Sequence, residues 1–214
     1  MTIMLYALIG LIIILVLGAL CWRWTSRRRQ LPCPAWLAWF LENPVVESIA
    51  GAQTTLDRIG LRTGEHGMDV GCGPGRMAIP AAMRVGPTGS ITALDIQPAM
   101  LARLRNAMEQ AGVRNIVSRL SDIAADGELP SDSMDRAWLV TVLGEIPDRP
   151  AALKNLYRIL RPGGTLSVTE IFGDPHYQRR RTVLRLCTNA GLEPAQYWRT
   201  FMAFTQNFTK LIRR

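Results

Sequence analysis

Two patterns of apolar residues divide the chain. Residues 3–22 form an unbroken apolar run of mostly Ile, Leu, Val, Ala and Gly, without a charge. Twenty helical residues at about 1.5 Å each span roughly the 30 Å hydrocarbon core of a bilayer. A helix apolar on every side has no role at the end of a water-soluble domain, so the run predicts a membrane span. Beyond it the pattern becomes periodic. Short apolar runs predict strands at 67–70, 90–94, 115–120, 134–140 and 165–171. Segments 45–60, 76–84, 98–111, 150–160 and 179–190 read as helices. In 98–111 the apolar positions Met100, Leu101, Leu104 and Met108 fall at helical spacing. The stretches 196–202 and 203–210 close the chain as a strand pair. Strands alternating with helices predict an α/β domain with a doubly wound, mostly parallel sheet.

The flanks of the apolar run orient it. Arg23, Arg27, Arg28 and Arg29 follow it and no basic side chain precedes it. The positive-inside bias puts the N-terminus outside and the remaining chain in the cytoplasm, as a single-pass protein of the inner or plasma membrane. A cleaved signal peptide is the weaker reading, because a basic leading region and a small-x-small cleavage site are both missing. The organisation expected is an anchor over 1–24, a basic and aromatic linker over 25–43, and the folded domain over 44–214. Within the linker, Pro32 and Pro34 interrupt helix formation. Residues 35–41, with Trp36, Trp39 and Phe40, read equally as a helix packed on the domain or as one lying at headgroup depth.

Charge alters the picture only after it is partitioned. The chain of 214 residues has a net charge of +8. Residues 1–41 carry four Arg and no acid. Residues 42–174 carry 13 basic and 16 acidic side chains, a net −3, and residues 175–214 carry 8 basic and 1 acidic, a net +7. A nucleic-acid enzyme would want a basic cleft on its core, so the acidic middle argues against a nucleic-acid partner. The four cysteines form no C-x-x-C pair and His66 and His176 are the two histidines, so no metal site is expected.

The chemistry concentrates after the first strand, in Asp69-Val70-Gly71-Cys72-Gly73-Pro74-Gly75. Glycines there let a ligand approach the backbone at the carboxyl ends of the strands. The loop reads G-x-G-x-G rather than the G-x-G-x-x-G that seats a pyrophosphate on a helix N-terminus. An acid two residues ahead of the first glycine favours a ligand with a cationic amine.

This segment resembles the first motif of the class I S-adenosylmethionine-dependent methyltransferases, and the resemblance extends over roughly residues 40–210. It is closest to the branch of ubiquinone/menaquinone-biosynthesis and phospholipid methyltransferases. Supporting marks are Asp95 in ALDIQPAML, Asp122-Ile123 after the third strand, DRAWLVTVLGEIPD and RPGG. The resemblance implies a Rossmann-like seven-stranded sheet of order 3-2-1-4-5-7-6 and S-adenosylmethionine as cofactor. It implies that Gly71, Gly73 and Gly75 pass under the methionine part and that Asp69 holds the α-amine, directly or through water. It implies that Asp95 binds the ribose hydroxyls, Ile96 and Met100 line the adenine, and Asp122 with Ile123 meets the adenine amine. Thr141 is a further cofactor-side candidate. Asp69 as a turn cap, Asp95 as a strand-end turn residue and Ser121-Asp122 as a cap are the competing structural readings.

On the acceptor side the candidates are His176, Glu145 and Tyr177, with Asp174 beside them. Related sequences often have His-Glu where this chain has Gly144-Glu145, which removes an obvious base; His176 could act as a base, orient the acceptor or cap its loop. The expected function is a membrane-anchored methyltransferase acting on an apolar small-molecule acceptor: a membrane lipid, a quinone-like compound or another apolar metabolite. The alternative is a methyltransferase fold of weak catalysis serving as a subunit of a membrane protein complex.

Overall fold

The computed structural model describes residues 51–212 together with Tyr6, Ile9, Gly10, Leu17 and Gly18. Apart from these five residues, the expected span 3–22 and the linker 25–43 lie outside the described residues. Among the described residues no helix is long and apolar enough to cross a membrane. The domain is built in the order α1 (Ala52–Ile59), β1 (His66–Val70), α2 (Ala78–Val85), β2 (Ser90–Asp95), α3 (Pro98–Ala111) and β3 (Ile116–Leu120), then β4 (Met134–Val140), α4 (Arg149–Ile159), β5 (Leu160–Ile171), α5 (Arg180–Asn189), β6 (Glu193–Arg199) and β7 (Ala203–Thr209).

The strands form one seven-stranded sheet of order β3-β2-β1-β4-β5-β7-β6, as expected. β7 runs antiparallel to β5 and β6, and the other pairs are parallel. Helices cover both faces, which is why the parallel strands carry almost no exposed polar positions. Met68 and Val70 of β1, with Ala137 and Leu139 of β4, meet α4 and α5 on one face through Leu153, Leu156 and Val183. Trp138 of β4 and Ile91 and Ala93 of β2 meet α1, α2 and α3 on the other through Leu56, Ala82 and Leu104. Strand order reverses between β1 and β4, so the crevice at their carboxyl ends is where such a sheet leaves room for a ligand.

Local chemistry explains the element ends. α1 and α3 close on left-handed Gly60 and Gly112, Pro98 opens α3, and the Asp148 side chain accepts from the Ala151 N–H at the start of α4. Two boundaries differ from expectation. β5 begins at Leu160, because RPGG enters the sheet rather than a free turn: Gly163 N–H donates to Lys210 O and Lys210 N–H to Gly164 O. β6 ends at Arg199, because Thr200 and Ala203 close a tight turn in which the Thr200 N–H donates to Ala203 O and the Ala203 N–H donates to the Thr200 hydroxyl, which puts Phe201 at its tip, 95% exposed.

Candidate active site

β1 and β4 lie side by side with Asp69 in register with Trp138. Both side chains project toward α2, and Gly67 leaves room for the indole, since a Cβ there would lie 2.8 Å from the ring. Asp69 is 2% exposed and Trp138 is fully buried. Burial pushes the Asp69 carboxyl up to about 7, against the lowering influence of the nearby Trp138 indole and Arg76 guanidinium. Oδ2 of Asp69 and Nε1 of Trp138 nevertheless have no hydrogen-bond partner among the described residues. A buried carboxylate oxygen left without a donor is costly, which makes it a candidate to receive one from a ligand.

The glycine loop begins where β1 ends. Gly71, Gly73 and Gly75 all have positive φ, at 70°, 54° and 101°. A Cβ on Gly71 would meet Val142 at 2.5 Å and one on Gly75 would meet Leu104 at 2.6 Å, whereas one on Gly73 would stand in open space. Packing thus closes the space beside Gly71 and Gly75, whereas Gly73, itself buried, has open space where a side chain would stand. Asp95 ends β2 and clamps two loops: Oδ2 accepts from the Gly73 N–H and Oδ1 from the Gln97 N–H, both at 2.9 Å. Burial raises its pKa, opposed by those backbone donors. The Ile96 N–H opposes burial as well; a carboxylate offers about four lone-pair sites, so capacity is left for a further donor. Cys72 is inert, its thiol pushed far up by burial and by Asp69 and Asp95.

The other expected cofactor residues separate. Ile96 is 55% exposed at the end of β2, while Met100 is 2% exposed in the interior. Ile123 is buried in the core. Asp122 is exposed and its carboxylate accepts from the Ala124 N–H, the capping geometry. The buried acid of this loop is Asp126, held by Ser121, Glu128 and Leu129. Thr141, at the end of β4, has φ 60°. A β-branched residue in that region stores of order 1–3 kcal/mol of strain, a feature that clusters at functional sites.

The acceptor candidates gather one strand further along the same edge. The loop after β5 and the loop after β4 enclose a pocket of about 420 Å³ lined by Gly144, Arg149, Phe172, His176, Tyr177 and Arg179, among others. His176 is 6% exposed, and its backbone N–H donates to Asp174 Oδ1. Tyr177 stands edge-on to Phe172 and Phe204. Glu145 is not part of the lining. The absence of a side chain at 144 has a steric cause: a Cβ there would lie 2.8 Å from the His176 carbonyl carbon and Cβ, and closer still to its oxygen. The backbone of the His176 loop occupies the space a residue-144 side chain would need.

Sequence reading missed Glu170. It sits in β5, 1% exposed, with Oε2 accepting from the Gln178 N–H and Oε1 without a partner. Burial pushes its carboxyl up to about 8, with Asp174 and Glu145 adding and Arg149 opposing. The single acid of β5 was the available signal. Among the described residues no group of His, Cys, Asp and Glu could hold a metal ion.

Residues 68–164 match the family model described as a methyltransferase domain. The nocamycin O-methyltransferase of Saccharothrix syringae is 35% identical over 118 residues, 55% of this chain and 42% of that protein. The ubiquinone/menaquinone biosynthesis C-methyltransferase UbiE of Psychromonas ingrahamii is 32% identical over 124 residues, 58% of this chain and 49% of that protein. The chain thus spans about half the length of these curated relatives. In fold it resembles a SAM-dependent methyltransferase from Aquifex aeolicus, with a TM-score of 0.78 at 18% identity, over 84% of this chain and 100% of that one. The family match takes in the glycine loop, Asp95 and Thr141 and stops before Glu170 and the 172–179 loop.

Proposed function

Because the chain belongs to the class I S-adenosylmethionine-dependent methyltransferases, we propose that it is a membrane-anchored enzyme that methylates a lipid, a quinone-like compound or another apolar small molecule. The observation that carries the reading is the unpartnered Oδ2 of buried Asp69, beside the open space at Gly73. That pair fits a ligand that is cationic at one end and runs along the loop. Asp69 would hold the ammonium of the cofactor, the glycine loop its methionine part, the free lone pairs of Asp95 its ribose hydroxyls, and Ile96 its adenine face. Asp122 and Ile123 would meet the adenine edge, and Thr141 would bound the site from β4. When bound, S-adenosylmethionine supplies a methyl group on a sulfonium, open to in-line displacement. Alignment supplies much of the rate of such a reaction, so the chain's own task is to seat the acceptor. His176 and Tyr177 would orient it. Glu145 would act from outside the pocket, and a base is needed only where the accepting atom must lose a proton.

Membrane anchoring is supported by the charge-free run 3–22 and the Arg residues after it. The positive-inside bias places the catalytic domain in the cytoplasm. An acceptor already in the bilayer would give the tether its purpose. Calorimetric titration of the full-length chain with S-adenosylmethionine tests the cofactor assignment: Asp95→Ala should weaken binding by about 1.5–3 kcal/mol, the scale of hydrogen bonds to a charged group. Equal affinity in both proteins would remove Asp95 from the site.

A further inference from the structure

The pocket beyond β5 has a chemistry that the family relation leaves open, since most of its lining, from Phe172 to Arg179, lies past the matched residues 68–164. Two guanidinium groups, Arg149 and Arg179, line it with the imidazole of His176 and the rings of Phe172 and Tyr177, and no carboxylate lines it. Three acids stand nearby and none is among the lining residues. Asp174 Oδ1 accepts from the His176 backbone N–H, Glu145 is outside the lining, and Glu170 is 1% exposed with its carboxyl pushed up to about 8 by burial.

The two cations are arranged differently. Arg149 donates from Nε to Leu143 O at 3.0 Å and from Nη2 to Gly144 O at 2.9 Å. These bonds fix the plane of its guanidinium and leave other N–H groups over. Arg179 is exposed and precedes α5, whose first turn contains no acid. Its neighbour Arg180 is already committed, stacked 4.0 Å over the Tyr197 ring and bonded to Gln206. On the apolar side, Phe172 is 62% exposed and stands edge-on to Tyr177 at 5.8 Å, so the pair presents ring surface to the pocket.

Guanidinium groups recognise carboxylates through paired N–H donors, and aromatic side chains favour flat apolar partners. We propose that this pocket binds a flat aromatic acceptor bearing a carboxylate, with the acid on Arg179 and Arg149 and the ring system against Phe172 and Tyr177. The proposal rests on the methyltransferase reading and narrows its acceptor to an aromatic acid. The same cations would attract an anionic lipid headgroup, so the test separates the two.

The full-length chain in detergent, saturated with S-adenosylhomocysteine, is titrated calorimetrically with sodium 2-naphthoate, with neutral 2-naphthamide, and with dihexanoyl phosphatidic acid. The acid should bind about tenfold more tightly than the amide, with added salt weakening the acid alone. Arg179→Gln should bring the acid to within about twofold of the amide, whereas Arg185→Gln, at an exposed position on α5, should leave the preference intact. Equal binding of acid and amide, or an acid preference that survives Arg179→Gln, would overturn the proposal. Phosphatidate binding as tight as naphthoate would overturn the aromatic part. Titration of the same proteins with S-adenosylmethionine keeps the two readings apart: cofactor binding without acid preference defeats this proposal alone, and absence of cofactor binding defeats the methyltransferase reading.

Discussion

Replacing Asp69 with Asn keeps the shape of a side chain that is 2% exposed and removes its charge. In the native protein burial holds this carboxyl at about 7 instead of 3.8. The folded protein therefore keeps a proton through a window, between about pH 4 and 7, in which the unfolded chain has lost it. Stability of the ligand-free protein falls as pH rises through that window, and above about pH 7 the full cost remains. About three pH units at roughly 1.36 kcal/mol each set a ceiling near 4 kcal/mol, which water entry and relaxation will reduce. A cationic amine seated on Asp69 favours the ionised form, so cofactor binding should expel the proton. Affinity for S-adenosylmethionine should then rise with pH below about 7, by up to about tenfold per unit, and level off above it. Calorimetry between about pH 5.5 and 7.5, in two buffers of different ionisation enthalpy, measures both the slope and the proton released. Asp69→Asn should abolish the slope and the proton release, bind more weakly at about pH 7.5, and be the more stable protein without ligand at about pH 8. A flat affinity profile in the native protein, or the same slope in the Asn variant, would refute the assignment.

Three further outcomes follow from packing and charge. Gly144→Ala should lower thermal stability and impair acceptor binding with cofactor affinity unchanged, because carbon atoms 2.8 Å apart must separate by about 0.7 Å and the His176 loop must move; an unaltered melting midpoint would show that the loop gives way freely. Gly73→Ala should cost about 1–2 kcal/mol of backbone strain and chiefly weaken cofactor binding, whereas Gly71→Ala, driven into Val142, should chiefly destabilise the fold; calorimetry paired with thermal melts separates the two. Glu170→Gln mimics the protonated acid and keeps an acceptor for the Gln178 N–H. Because burial raises Glu170 to about 8, native stability should decline between about pH 4.5 and 8 and the Gln variant should be the more stable protein above that range; melting curves that overlay at about pH 9 would contradict this.

What the sequence conveyed was local. Alternating apolar runs and the helical spacing of Met100, Leu101, Leu104 and Met108 placed the elements to within a few residues, while the strand order that reverses at β1 and β4 came from the family resemblance. The candidate cofactor side could be proposed from the sequence because Asp69, its glycines and Asp95 lie at strand ends, where a doubly wound sheet leaves room for a ligand. The acceptor side was not, because its determinants are contacts between distant segments. Gly144 reads as a missing side chain until the His176 backbone is seen in its place. Glu170 reads as one residue of an imperfect strand until its burial against the 174–178 loop is known. Likewise RPGG carries every mark of a turn, and only pairing with Lys210 draws it into β5. Asp122 and Asp126 differ by four positions in sequence, but burial gives them opposite environments.

Transfer of the methyl group tests the central claim most directly. The full-length chain, reconstituted in lipid bilayers, is incubated with S-adenosylmethionine labelled in its methyl group and with an organic-soluble extract of cells from which the gene has been deleted. Label should pass into an organic-soluble small molecule, S-adenosylhomocysteine should inhibit the transfer, and Asp95→Ala should abolish most of it. Binding of S-adenosylmethionine by the native chain with no label transferred to any extracted compound would contradict the account and leave a cofactor-binding subunit in place of an enzyme.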